Sequence, residues 1–261
     1  MKTIGLIGGL SWVSTAAYYR IINEEIRHRT GGYHSASMVL KSLDFDPLVE
    51  CETPGQWKRA AELLAQAGQA VERAGAGCVL ICANAFHKVA PEIETAVKIP
   101  LLHIADVTAA SIRRAKMSRV GLLGTRTTME QPFLIERIVE GHPVDVIVPK
   151  SVERERVHRI IFEELCRGEI RDESRILLTR LVEQFRREGA RGVILACTEL
   201  SLLFHQEDSV LPVFDTTELH GMAAVEWSLQ APEITADSRP SDFSAELTRT
   251  PAINVRDHKH R

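Results

Sequence analysis

The chain has 261 residues, 44% of them hydrophobic and 26% charged, with a formal net charge of −3. This length makes one large α/β domain or two small ones, and the balance is that of an ordinary globular protein. There is no basic excess of the kind a nucleic-acid partner wants. No apolar run approaches the roughly 18–20 residues that cross a bilayer, so neither nucleic acid nor membrane is expected as a partner.

The first predicted element is a short apolar strand at Ile4–Ile7, within MKTIGLIGGLSW. A secretory signal needs a longer apolar run. This one breaks at Gly8-Gly9 as a strand-to-loop junction does, and the N-terminus reads as mature, cytoplasmic protein. Ser14–Arg29 follows as a helix and Met38–Leu43 as a strand. Trp57–Arg73 is helical, with Ala60, Leu63, Leu64 and Ala67 at helical spacing. Cys78–Cys82 and Leu101–Ile104 are strands. The pattern then restarts with strands at Val120–Leu123, Val144–Val148, Gly192–Ala196 and Val213–Phe214, and helices at Val157–Cys166 and Ser174–Glu188. From Ala231 the composition shifts to Pro, Ser, Asp and Arg without a sustained period, which reads as a mobile tail or a short docking segment. Alternation of this kind predicts parallel sheets flanked by helices.

The restart is an internal repeat. IGLIGG at Ile4–Gly9 matches VGLLGT at Val120–Thr125, 116 residues later. ERAGAGCVLICAN at Glu72–Asn84 matches RREGARGVILACT at Arg186–Thr198 at an offset of 114, and Pro100 matches Pro212 at 112. Two pseudo-symmetric α/β lobes are therefore expected: residues 1–115 with part of 210–229 in the first, 116–210 in the second, and 230–261 as the tail. Open parallel sheets bind ligands beyond the carboxyl ends of their strands. Two such ends facing each other would place one site in the cleft between the lobes.

The strand ends carry the candidate chemistry. Gly8, Gly9, Leu10 and Ser11 follow the first strand. They lack the glycine spacing and the Gly-Lys-Ser/Thr of nucleotide loops, and the loop suits a carboxylate equally well. Thr125 and Thr128 follow the equivalent strand of the second half, as anion donors or as a helix cap. Ala83, Asn84, Ala85 and His87 end one repeat unit, and Cys197, Thr198 and Glu199 end the other. Asn84 and Thr198 are equivalent positions that could each hold an oxygen of one carboxylate. His87 is a candidate supporting residue, or a structural histidine. Five irregularly spaced cysteines make neither a disulfide scaffold nor a zinc site. Of these, Cys197 stands out as a candidate thiolate, its pKa lowered by helix N-terminal amides.

GGLSWVSTAAYYRIIN, NAFHKV, LLHIADVTA, VGLLGTRTTMEQ, VILACTEL and PVFDTTELH resemble, in order, the motifs of the cofactor-independent aspartate/glutamate racemase superfamily. The resemblance runs to about Leu229 and is closest to the bacterial amino-acid racemases with GGxSWxST near the start. It implies a small-molecule amino-acid substrate, a homodimer, and no pyridoxal phosphate or metal. It also implies two cysteines, one per lobe, on the two faces of the substrate Cα. One thiolate removes the α-proton and the other thiol returns one. Leu10, Ser11, Glu52, Asn84, Ala85, Thr125, Thr128, Thr198 and Glu199 are the implied substrate-binding positions.

The family's first cysteine falls on Ala83, and the internal repeat independently sets Ala83 opposite Cys197. Cys82 is one residue early, and alternation along a strand turns it away from the cleft. One catalytic thiol is therefore expected, Cys197, with turnover slow or biased toward one enantiomer. The same single thiol fits a decarboxylase of the arylmalonate type, or a homologue that binds an amino acid or dicarboxylate without turning it over. The side chain of the substrate stays open between acidic, neutral and basic. Asp44–Glu52 and Phe162–Gly168, where a side-chain carboxylate would be held, offer Glu52, Glu163 and Glu164, with Arg167 as the nearest base.

Overall fold

The computed structural model of the chain describes residues 1–49, 51, 53–140 and 143–230. Its first half runs β1 (Ile4–Gly8), α1 (Trp12–Thr30), β2 (Met38–Ser42), α2 (Pro54–Arg73) and β3 (Cys78–Ile81). A 3-10 turn at Ala85–Val89, α3 (Ala90–Ala96) and α4 (Ile104–Arg114) complete it. The second half begins β4 (Arg119–Gly124), α5 (Arg126–Glu130), α6 (Pro132–Val139), β5 (Asp145–Ile147) and α7 (Ser151–Arg159). It continues α8 (Asp172–Arg187), β6 (Val193–Ala196), α9 (Leu200–Leu203), β7 (Val213–Asp215) and α10 (Thr216–Leu229).

Two parallel sheets result, in the orders β2-β1-β3 and β5-β4-β6-β7, each flanked by helices. This is the α/β fold expected of the sequence. The repeat is visible in the backbone: Val79 N–H donates to Pro100 O, and Val193 N–H to Pro212 O, both at 2.9 Å. Sequence and structure part at two elements. The strand expected at Leu101–Ile104 shrinks to one bridge, Leu101 to Val79, because His103 already caps α4 by accepting from Ala105 N–H. The helix expected at Val157–Cys166 is α-helical only to Arg159. It then widens into a π turn at Ile160–Glu164 and tightens into a 3-10 turn at Leu165–Arg167. Such widened turns are concentrated at functional sites. The tail from residue 231, and Glu52, lie outside the described residues.

The helices form for local reasons and bury one face. Thr53 and Gln56 make a capping box at the start of α2, with Pro54 in its first turn. Leu178, Leu181, Val182 and Phe185 give α8 its buried stripe. The Phe185 ring lies on β4 where Gly121 leaves it room: a Cβ there would stand 2.1 Å from the ring. Gly121→Ala is therefore expected to destabilise the protein by about 1–3 kcal/mol through overpacking, read as a lower urea midpoint. Phe185→Leu in the same chain should recover part of that loss. If Gly121→Ala alone leaves the midpoint unchanged, this packing account is wrong.

The last helix, α10, leaves the second sheet and packs against α1 and α4 of the first half. Lys2 N–H donates to Ser228 O (2.8 Å), tying the N-terminal residues to it. Inside this contact, His220 donates from Nε2 to Leu102 O (2.7 Å) and accepts at Nδ1 from the Tyr18 hydroxyl (2.8 Å). Burial holds His220 neutral, its pKa lowered to about 4.

Candidate active site

The carboxyl ends of β1, β3, β4 and β6 open on one cavity of about 360 Å³ between the two halves. Leu10, Ser11, Ala83, Asn84, Ala85, Thr125, Cys197, Thr198 and Glu199 all line it, as the sequence expects of candidate site residues. Thr128 does not. It is fully buried, and its hydroxyl donates to Thr125 O (2.8 Å) as part of the cap of α5. His87 does not reach the cavity wall either. Its Nδ1 donates to Ala83 O (2.8 Å) and its Nε2 accepts from Ile104 N–H (3.3 Å), so it fixes the backbone that carries Ala83. Burial, with His103 and His220 nearby, pushes the His87 pKa well down, so the ring stays neutral.

Alternation along the strands sorts the cysteines. Cys82 is fully buried among Leu6, Tyr18 and Leu80 on the other side of the sheet, and Ala83 stands on the cavity wall. Cys197 shares that wall. Its Sγ donates to Glu199 Oε2 (3.1 Å), and the other carboxylate oxygen accepts from the Ser14 hydroxyl of α1 (2.8 Å). The sequence argument expected helix amides to lower the Cys197 pKa. The structure reverses this: burial, and then the Glu199 carboxylate, push it well up. The resting group is a thiol with its proton already directed at a carboxylate. Cys51 and Cys166 also line the cavity. Both are raised by burial, Cys166 to about 12, and among the described residues Cys51 Sγ makes a long contact to Gln56 O at 3.8 Å.

The entry loop is held in an uncommon conformation. Gly9 has φ +77°, and a Cβ there would meet Leu43 O at 2.0 Å. Ser11, not a glycine, has φ 72° and ψ 115° and heads α1; such geometry clusters at ligand sites. Asn84 crosses between the halves. Thr216 Oγ1 donates to Leu195 O (2.8 Å), so it can only accept from Asn84, and the amide must present Nδ2 to it (3.0 Å). The buried Asn84 Oδ1 then has no hydrogen-bond partner among the described residues. An orphaned acceptor matches a ligand's donor better than a carboxylate oxygen.

The sequence did not single out Ser14, Trp57 or the apolar walls. Ser14 belongs to the GGxSWxST motif, but it lies 185 residues from Glu199 and nothing local pairs it with that carboxylate. Among the described residues no cluster of His, Cys, Asp or Glu is arranged to hold a metal, and no helix is long and apolar enough to cross a membrane.

Comparison with known proteins adds a family and relatives. The family model described as Asp/Glu/Hydantoin racemase matches residues 7–224. The crystal structure of a candidate Asp/Glu racemase from Yersinia pestis is similar at 46% identity and TM-score 0.82, over 88% of this chain and 100% of that one. An aspartate racemase homologue from Pyrococcus horikoshii OT3 is similar at 36% identity and TM-score 0.78, over 88% and 100%. The broad specificity amino-acid racemase RacX of Bacillus subtilis (strain 168) is 25% identical over 147 residues, which is 56% of this chain and 63% of that protein.

Proposed function

Since the chain belongs to the Asp/Glu/Hydantoin racemase family, we propose that it racemises or epimerises an amino acid by removing and returning the Cα proton, with Cys197 as the acid–base group. The observation that carries this reading is the thiol hydrogen-bonded to Glu199 on the wall of a cavity that also presents Ala83. Work without pyridoxal phosphate or metal, as a cytoplasmic homodimer, goes with the same reading.

In this account substrate binding expels water from the cavity, and Glu199 takes the thiol proton. The Cys197 thiolate removes the Cα proton. The substrate carboxylate, held by Ser11, Thr125 and Thr198 and by strand-end amides, accepts the developing charge. The α-ammonium donates to Asn84 Oδ1. Returning the proton from Cys197 restores the starting enantiomer. Inversion needs a proton from the Ala83 side, where the chain offers a methyl group, and in this reading a water left at that wall serves.

Racemisation equilibrates equal amounts of the two enantiomers, so kcat/KM for inversion is the same in both directions. The asymmetry must therefore appear as exchange with retention outpacing inversion. In deuterated water, proton NMR is expected to show loss of the α-proton signal, faster for one enantiomer and ahead of any change in optical rotation. Because the free enzyme already holds the competent pair, a thiol on a carboxylate that takes its proton, kcat/KM for exchange should stay level through the ordinary thiol range rather than rise across it. Equal exchange and inversion from both enantiomers would remove the single-thiol account. No exchange with any amino acid would remove the racemase reading. The single thiol also favours a second reading, decarboxylation of an α-aryl malonate, and carbon dioxide release from such a substrate is its test.

A further inference from the structure

The walls of the cavity away from its polar end are apolar and aromatic. Phe45, Leu48, Trp57 and Phe86 come from the first half, and Ile161 and Phe162 from the second, displayed by the π turn. Three of these rings pack as one surface, Trp57 to Phe86 at 5.9 Å and Phe45 to Phe86 at 6.3 Å between centroids. Apart from its cysteines, the ionisable side chains lining the cavity, among the described residues, are Glu199, Arg126 and His158, the last packed on Phe162 at 4.7 Å between centroids and accepting at Nδ1 from the Arg126 backbone N–H (3.3 Å). Glu199 is engaged with Cys197 and Ser14, and the Arg126 guanidinium stands 3.6 Å from the Glu155 carboxylate, with both side chains half-exposed. Glu163, Glu164 and Arg167, which the sequence raised as side-chain contacts, are absent from the wall. Glu164 instead accepts from the Ser174 hydroxyl (2.6 Å).

We infer that this site takes an amino acid with a large uncharged side chain, aromatic or branched aliphatic, rather than an acidic one. The inference rests on the amino-acid reading of the site and goes beyond it. An apolar side chain gains by leaving water for the Phe45–Trp57–Phe86 surface. A side-chain carboxylate placed there loses its hydration and shares the cavity with the Glu199 carboxylate, while the cation nearest the aromatic wall, Lys88, lies over the Trp57 ring at 4.2 Å and does not line the cavity. The choice departs from the acidic amino acids in the names of the structural relatives. The physical reason is that, among the described residues, these walls offer a second carboxylate one buried indole N–H, at Trp57, in place of the water it would give up.

Calorimetric binding and NMR exchange, run in parallel on the wild-type protein, separate the two claims. The panel is both enantiomers of phenylalanine, leucine, aspartate, glutamate and arginine. Phenylalanine or leucine is expected to bind at least roughly tenfold more tightly than aspartate or glutamate. Equal or tighter binding of an acidic or basic amino acid overturns the inference and leaves the racemase reading standing if that ligand exchanges. Apolar preference without exchange supports the inference and overturns the racemase reading. No binding of any member overturns both.

Discussion

Replacing Cys197 by alanine is expected to slow α-proton exchange by about 10²- to 10⁴-fold, the range over which a positioned acid–base group acts. No other thiol on the wall can take over. Cys166 is raised to about 12, Cys51 is raised by its own burial, and among the described residues neither donates a hydrogen bond to a carboxylate as Cys197 does. Cys197→Ser should fail nearly as completely, because a hydroxyl is a far weaker acid, yet it keeps the volume of a buried position and guards against a folding artefact. Glu199→Gln sharpens the test. It removes the negative charge that helps raise the thiol pKa, so alkylation of Cys197 by iodoacetamide should become faster while exchange becomes slower. Mass spectrometry of the alkylated peptide and NMR of the substrate check them together. An unchanged urea midpoint for the variant excludes a merely structural role, since loosening of the site would also expose the buried thiol.

Ala83→Cys is expected to supply the missing second acid. Inversion should rise by at least about a hundredfold and approach the rate of exchange with retention. The backbone there is already fixed by His87, and the side chain already faces the cavity shared with Cys197. Polarimetry and deuterium incorporation followed in one tube measure the ratio directly. Cys82→Ala is the control. Its side chain is packed on the far side of the sheet, so the ratio should not change. If Ala83→Cys leaves inversion as slow as before, the methyl group is not what limits it.

Much of this site was legible in the sequence because it follows from strand periodicity and an internal repeat. The equivalence of Ala83 and Cys197, and the outward turn of Cys82, need only the alternation of side chains along a strand. The sign of the Cys197 shift was not legible. It depends on complete burial and on a carboxylate brought within 3.1 Å by folding, which outweigh the helix amides that local reasoning could see. Residue type left Thr128 open between anion donor and helix cap, and the cap of α5 claims it. The apolar walls were hidden for another reason. Trp57 and Phe162 sit in helices where an aromatic residue ordinarily signals core, and only the meeting of two halves turns those faces toward a ligand.

The path of α10 has a consequence for how the protein is made. A chain leaves the ribosome N-terminal part first, and early domains generally fold before later ones are synthesised. Here the helix that covers α1 and α4, and the hydroxyl that orients Asn84, are among the last described residues to emerge. The first half of the molecule must therefore wait, with an apolar face uncovered, while the second half is translated. Its period of greatest exposure to chaperones and proteases falls during synthesis, and release of residues 216–229 both seals that face and sets the Asn84 amide on the cavity wall.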